Sequence, residues 1–197
     1  TGVWYRRLRY RPRCRVDRLY LIPMALLAAA LAMGLNGLLT LSDLYRYSPS
    51  FQEVSEIQYD TPVWLGILAF GVLAPLGEET VFRGLVYGNL KKVFSFPVSM
   101  ILSGLAFGIF HGNLVQGIYA SLLGFVLALI YELYDTIIAP MVFHGVANLF
   151  IYVLLNLTEF GGIFLIPLSC LFMLMISGVC LVLTVRWQRG NRMTLQQ

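Results

Sequence analysis

Six residues in this 197-residue chain have the types and spacing to hydrolyse an amide. Glu78, Glu79 and Arg83 close an apolar run. The chain's two histidines, His111 and His144, fall in two other apolar runs, and Asn148 follows the second at four residues. Amide hydrolysis needs a water relieved of its proton and donors for the oxyanion that then develops. A carboxylate and an imidazole on neighbouring helices can share that water, while a second imidazole and a side-chain amide can hold the oxyanion. Residues four apart share a helical face, so Glu79 can pair with Arg83 and His144 can project together with Asn148. The expected division is Glu78 as base, with Glu79 and Arg83 as a fixing pair, although the pattern alone leaves the two glutamates interchangeable. Phe107, one turn before His111, is expected to pack beside it.

The elements that must position these groups are membrane helices. The chain is 58% hydrophobic and 12% charged, with a mean hydropathy of +0.76, whereas a soluble domain carries roughly 25% charged residues. Apolar runs near the 20 residues that span about 30 Å of hydrocarbon occur at 19–41, 62–77 continuing to 93, 96–112, 115–131, 136–157 and 161–185. The expected fold is therefore all-α: one polytopic membrane bundle over 1–197 with about six transmembrane helices. An ionisable residue at membrane depth costs a few kcal/mol and marks a site by default.

Lysine and arginine set the orientation, because cytoplasmic loops carry their excess. Residues 1–18 hold seven arginines, Lys91 and Lys92 follow the second run, and Arg186, Arg189 and Arg192 follow the last, whereas the loops assigned outside hold only Arg46. Both termini are expected to be cytoplasmic. The +4 net charge is thereby accounted for by topology and lipid headgroups, and no nucleic-acid partner is expected. The run after the basic tail continues to Leu41, which reads as an anchor rather than a cleaved signal.

Local signals fill in the frame. Ser50 and Glu53 fit a capping box opening a short helix in the outer interface over 42–60. Pro62 reads as a first helical residue, Pro75 as a kink, and Asp135-Thr136 as the opening of the fifth span. Small residues from Gly104 to Gly124 suit close helix packing. At about 1.5 Å per residue, Glu78 stands about 20 Å above Lys91, His111 about 21 Å above Pro97 and His144 about 12 Å above Thr136. Three helices can thus bring these groups to similar depth.

Rival chemistries find less support. No His-Glu-x-x-His motif occurs, all four aspartates sit in tails or loops, and Ser103 and Ser121 lack a Gly-x-Ser-x-Gly setting. Cys14, Cys170 and Cys180 form no disulfide framework or metal-site spacing. No bound cofactor is expected. A zinc-dependent alternative would use Glu78, His111 and His144 as ligands. The histidines could also be plain interhelical glue, but they share their depth with the glutamates.

Glu-Glu-x-x-x-Arg at 78–83, Phe-x-x-x-His at 107–111 and Pro-Met-x-x-His-x-x-x-Asn at 140–148, in that order on separate runs, resemble the CAAX protease and bacteriocin-processing (CPBP, or Abi) family over roughly 62–150. The resemblance implies a glutamate-type intramembrane endopeptidase in which Glu78 and His111 activate water while His144 and Asn148 stabilise the oxyanion. It implies a cavity reached from the cytoplasm and a membrane-associated peptide or protein as substrate. It also implies a multi-pass protein of the bacterial cytoplasmic membrane. Members trim prenylated proteins or act in bacteriocin maturation, self-immunity or peptide signalling. A non-catalytic immunity factor or scaffold of the same fold is the alternative from another class.

Overall fold

The computed structural model describes residues 21–157 and 166–194. The basic tail over 1–18, Cys14 and the expected start of the last span at 161 lie outside the described residues. Seven helices carry the described chain: α1 (Leu21–Leu41), α2 (Pro49–Asp60), α3 (Val63–Leu90), α4 (Phe96–Phe110), α5 (Leu114–Tyr134), α6 (Ile138–Leu157) and α7 (Pro167–Thr194).

Five of these, α1, α3, α5, α6 and α7, are long and apolar enough to cross a membrane. The remaining expected span, third in the chain, is α4, whose 15 residues make about 22 Å, short of the roughly 30 Å a crossing needs. The cause is local. Gly112 at φ +72 turns the chain immediately after His111, and the Asn113 side chain caps α5 by accepting from the Gln116 backbone N–H at 2.8 Å.

Glycine seams bring α4 onto α5, as the small-residue pattern anticipates. A Cβ on Gly124 would lie 2.9 Å from the Gly104 Cα, so the two backbones meet there without side chains between them. Leu27 and Ala28 of α1, Phe82 of α3, Phe107 of α4, Leu127 of α5 and Phe143 of α6 belong to the shared apolar core.

Two helix starts differ from expectation. The capping box at Ser50 does not form: Pro49 takes the first position of α2, with Ser48 as N-cap and no side-chain cap bond. Proline's fixed φ suits that first position, which places Ser50 inside the helix. The fifth span opens at Ile138 rather than Asp135, because Asp135 ends α5 in the left-handed region at φ 53, a conformation aspartate tolerates.

Helix α3 departs most from regularity. Its backbone widens to π-helix over Ala69–Leu73 and again over Thr80–Tyr87. Around Pro75, where the sequence predicts a kink, the Ala74 N–H reaches back to the Ala69 carbonyl and proline offers no N–H to the carbonyls before it. The carbonyls freed by the two wide stretches find side-chain partners on other helices. Asn148 Nδ2 of α6 donates to Phe70 O at 3.0 Å, and Ser103 Oγ of α4 donates to Phe82 O at 3.1 Å.

Candidate active site

The three motif stretches converge where α3, α4 and α6 meet. Glu79 and Arg83 are completely buried, and Arg83 Nη1 donates to Glu79 Oε1 at 3.0 Å. The other guanidinium arm, Nη2, donates to the Gly124 carbonyl of α5 at 2.9 Å. Gly124 sits at the seam of α5 with α4, and the space beside its carbonyl is tight: a Cβ there would stand 3.2 Å from the Phe107 ring and 3.4 Å from Nη2. Two polar atoms, Glu79 Oε2 and Arg83 Nε, are buried without a hydrogen-bond partner among the described residues, an arrangement costly to stability.

His144 lies between the two glutamates. Its Nδ1 is 2.9 Å from Glu79 Oε1, and its Nε2 is 3.8 Å from Glu78 Oε2. A carboxylate only accepts, so the hydrogen-bond network assigns the proton to Nδ1 and turns Nε2 towards Glu78. Glu78 keeps about a fifth of its side chain exposed, whereas Glu79 has none. Burial therefore distinguishes two glutamates that the sequence leaves interchangeable.

His111 caps the end of α4. Its Nδ1 is 2.9 Å from the Phe107 carbonyl, which again fixes the proton on Nδ1 and leaves the Nε2 lone pair free in the neutral ring. Phe107 is the hub of this arrangement. Its ring stands edge-on to His111 at 4.9 Å and to His144 at 5.6 Å, and Arg83 Cζ lies 4.8 Å from its centroid. Asn148 belongs to the same face of α6 as His144, but one of its amide hydrogens is committed to the Phe70 carbonyl.

The depths agree for a reason hidden from the sequence. Ile137, just before α6, rests against Gly84, already about 10 Å above Lys91. The shorter climb to His144 therefore ends at the level of Glu78. Gly145 completes the approach of α6 to α3, since a Cβ there would lie 2.6 Å from the Gly71 carbonyl oxygen.

Sequence reasoning missed the accessory groups: Ser103, the Gly124 carbonyl, Tyr87 and Glu132. Tyr87 Oη donates to Glu132 Oε2 at 2.6 Å and Lys91 Nζ to Glu132 Oε1 at 2.9 Å. The signal available was the spacing of Arg83, Tyr87 and Lys91 by fours. For the zinc alternative, no three of His, Cys, Asp and Glu are grouped as a metal-ligand set among the described residues.

Residues 60–150 match the family model described as Rce1-like, type II CAAX prenyl endopeptidase. YdiL of Bacillus subtilis (strain 168), assigned as a membrane peptidase, is 27% identical over 109 residues, which cover 55% of this chain and 44% of that protein. The membrane-embedded CAAX protease MroQ of Staphylococcus aureus (strain USA300) is 26% identical over 146 residues, covering 68% of this chain and 58% of that protein. The chain thus spans about half the length of these curated relatives. No solved structure matches it.

Proposed function

From the match of residues 60–150 to the Rce1-like family model, we propose that this multi-pass membrane protein is an intramembrane endopeptidase hydrolysing a peptide bond in a membrane-associated peptide or protein. Both relatives come from bacteria, and the bacterial cytoplasmic membrane is the proposed setting. The observation that carries the reading is His144, bonded through Nδ1 to Glu79 and facing Glu78 through Nε2.

In this mechanism Glu78 takes one proton of a water, whose other hydrogen is held by the free Nε2 of His111, as the water oxygen attacks the scissile carbonyl carbon. The carbonyl π electrons pass to oxygen. His144 Nε2, when the ring carries its second proton, and the remaining amide hydrogen of Asn148 donate to that oxyanion. The positive ring is balanced by the Glu79 carboxylate, itself paired with Arg83. Collapse of the intermediate breaks the C–N bond, and the proton held at Glu78 passes to the leaving amine. Glu79 and Arg83 do not touch substrate; they hold His144 in register.

Cleavage of a quenched peptide by purified protein tests this reading. Glu78→Gln, His111→Ala and His144→Ala are each expected to lower the rate at least about 100-fold while the protein still elutes as a folded species in detergent. Full activity in all three would remove the mechanism.

A further inference from the structure

Three side chains of α3 spaced by fours, Glu79, Arg83 and Tyr87, and Lys91 directly after its end all bond towards α5 and α6. Glu79 meets His144, Arg83 meets Gly124 O, and Tyr87 and Lys91 share the Glu132 carboxylate. A regular α-helix cannot keep such a stripe straight. At 3.6 residues per turn each step of four overshoots a full turn by about 40°, so Lys91 would sit about 120° around from Glu79. At about 4.4 residues per turn, a π stretch falls short by about 30° per step instead. The wide turn over Thr80–Tyr87 therefore straightens the stripe, and the stripe's bonds hold the wide turn open.

A π stretch is rare because its backbone is less favourable than an α-helix, so its surroundings must hold it. Ser103 does so in the middle of the turn, through the Phe82 carbonyl. At its inner end the holder is Glu132. Tyr87 is almost wholly buried and its hydroxyl needs a partner there. The Glu132 side chain is 38% exposed and that of Lys91 32%, which places this clamp at the rim of the bundle, about 20 Å from Glu78 along the helix.

Resting on the endopeptidase reading, we infer that Glu132 is a positioning residue for the reaction. By pinning Tyr87 and Lys91 it keeps residues 80–87 in the wide register, and that register sets the rotation of Glu78 and Glu79 towards His144. If the wide turn relaxed to α-helix, the two glutamates would rotate about the α3 axis relative to its anchored inner end.

The test uses the full chain in detergent with Tyr87→Phe, which removes only the hydroxyl, and Glu132→Gln, which removes the charge but keeps the shape. Two readouts are taken: kcat and KM on a quenched peptide per folded molecule, and amide hydrogen exchange across residues 80–87. Each variant is expected to lower kcat about tenfold, as small misplacements do, with KM unchanged within about twofold and exchange across 80–87 faster than in wild type. The double variant should be no slower than the worse single, because both act through one bond. A clamp that only adds stability would lower the yield and leave kcat per folded molecule and exchange unchanged, and that result would overturn the inference. Wild type that cleaves nothing would contradict the endopeptidase reading, and this inference with it.

Discussion

His144 Nδ1 lies 2.9 Å from Glu79 Oε1, and the same oxygen accepts from Arg83 Nη1 at 3.0 Å. One carboxylate oxygen thus joins α6 to α3 and, through the second arm of Arg83, to the Gly124 carbonyl of α5. Three helices meet on a buried charge.

Glu79 and Glu78 should therefore respond differently to loss of charge. Glu79→Gln leaves the Arg83 guanidinium buried without its counter-charge, so it is expected to cost about 3–5 kcal/mol of stability in addition to activity. Glu78→Gln, at a partly exposed position, should cost under about 1 kcal/mol while abolishing cleavage. Denaturation of the two variants in the same detergent checks the order; equal stability would count against the buried bridge.

Arg83→Lys keeps the charge and discards the fork. A lysine ammonium can follow Glu79 but cannot also reach the Gly124 carbonyl in the planar geometry of Arg83. A loss of about 1.5–3 kcal/mol is expected from the charged hydrogen bond to that carbonyl, read as a lower unfolding midpoint. An unchanged midpoint would mean that the Gly124 bond contributes nothing.

Two glycines of similar sequence context should behave in opposite ways. Gly145→Ala drives a Cβ to within 2.6 Å of the Gly71 carbonyl oxygen, separating α6 from α3 next to His144, so stability and cleavage should fall together. Gly77 meets nothing within 4 Å. Gly77→Ala should raise stability by about 0.5–1 kcal/mol through helix propensity alone. Thermal unfolding of both variants decides this, and the picture of α3 packing fails if their order is reversed.

Asn148 is assigned two tasks, one on the Phe70 carbonyl and one on the oxyanion. Asn148→Ala is expected to lower kcat about 10²–10³-fold and also to quicken amide exchange across 69–73. Lost activity with unaltered exchange would leave Asn148 only the oxyanion role. The converse would leave it a backbone prop.

The pairing of Glu79 with Arg83 was legible because a charge in an apolar run has few partners and spacing by four supplies one. The two histidines stood out because they are the chain's only two and both lie in apolar runs. The π stretches were not legible. They depend on Ser103, Asn148 and Glu132 donating or accepting from other helices, and the only local hints of those partners are the missing N–H of Pro75 and the spacing of Arg83, Tyr87 and Lys91 by fours. Glu132 escaped notice because it falls just past an apolar run, where an acid reads as a solvated helix end. The shortness of α4 depends on the left-handed turn at Gly112, and hydropathy by itself ran the span on to that residue. The start of α2 follows Pro49, whose fixed φ outranks the capping signal of Ser50 at a helix opening.

The most direct test of the central claim compares purified wild type with Glu78→Gln on a quenched peptide library in detergent, with metal content measured on the same samples. The account predicts cleavage by wild type, loss of at least about 100-fold in the variant, and no stoichiometric zinc in either. Cleavage by Glu78→Gln at the wild-type rate, or activity that disappears with a stoichiometric zinc ion, would contradict it.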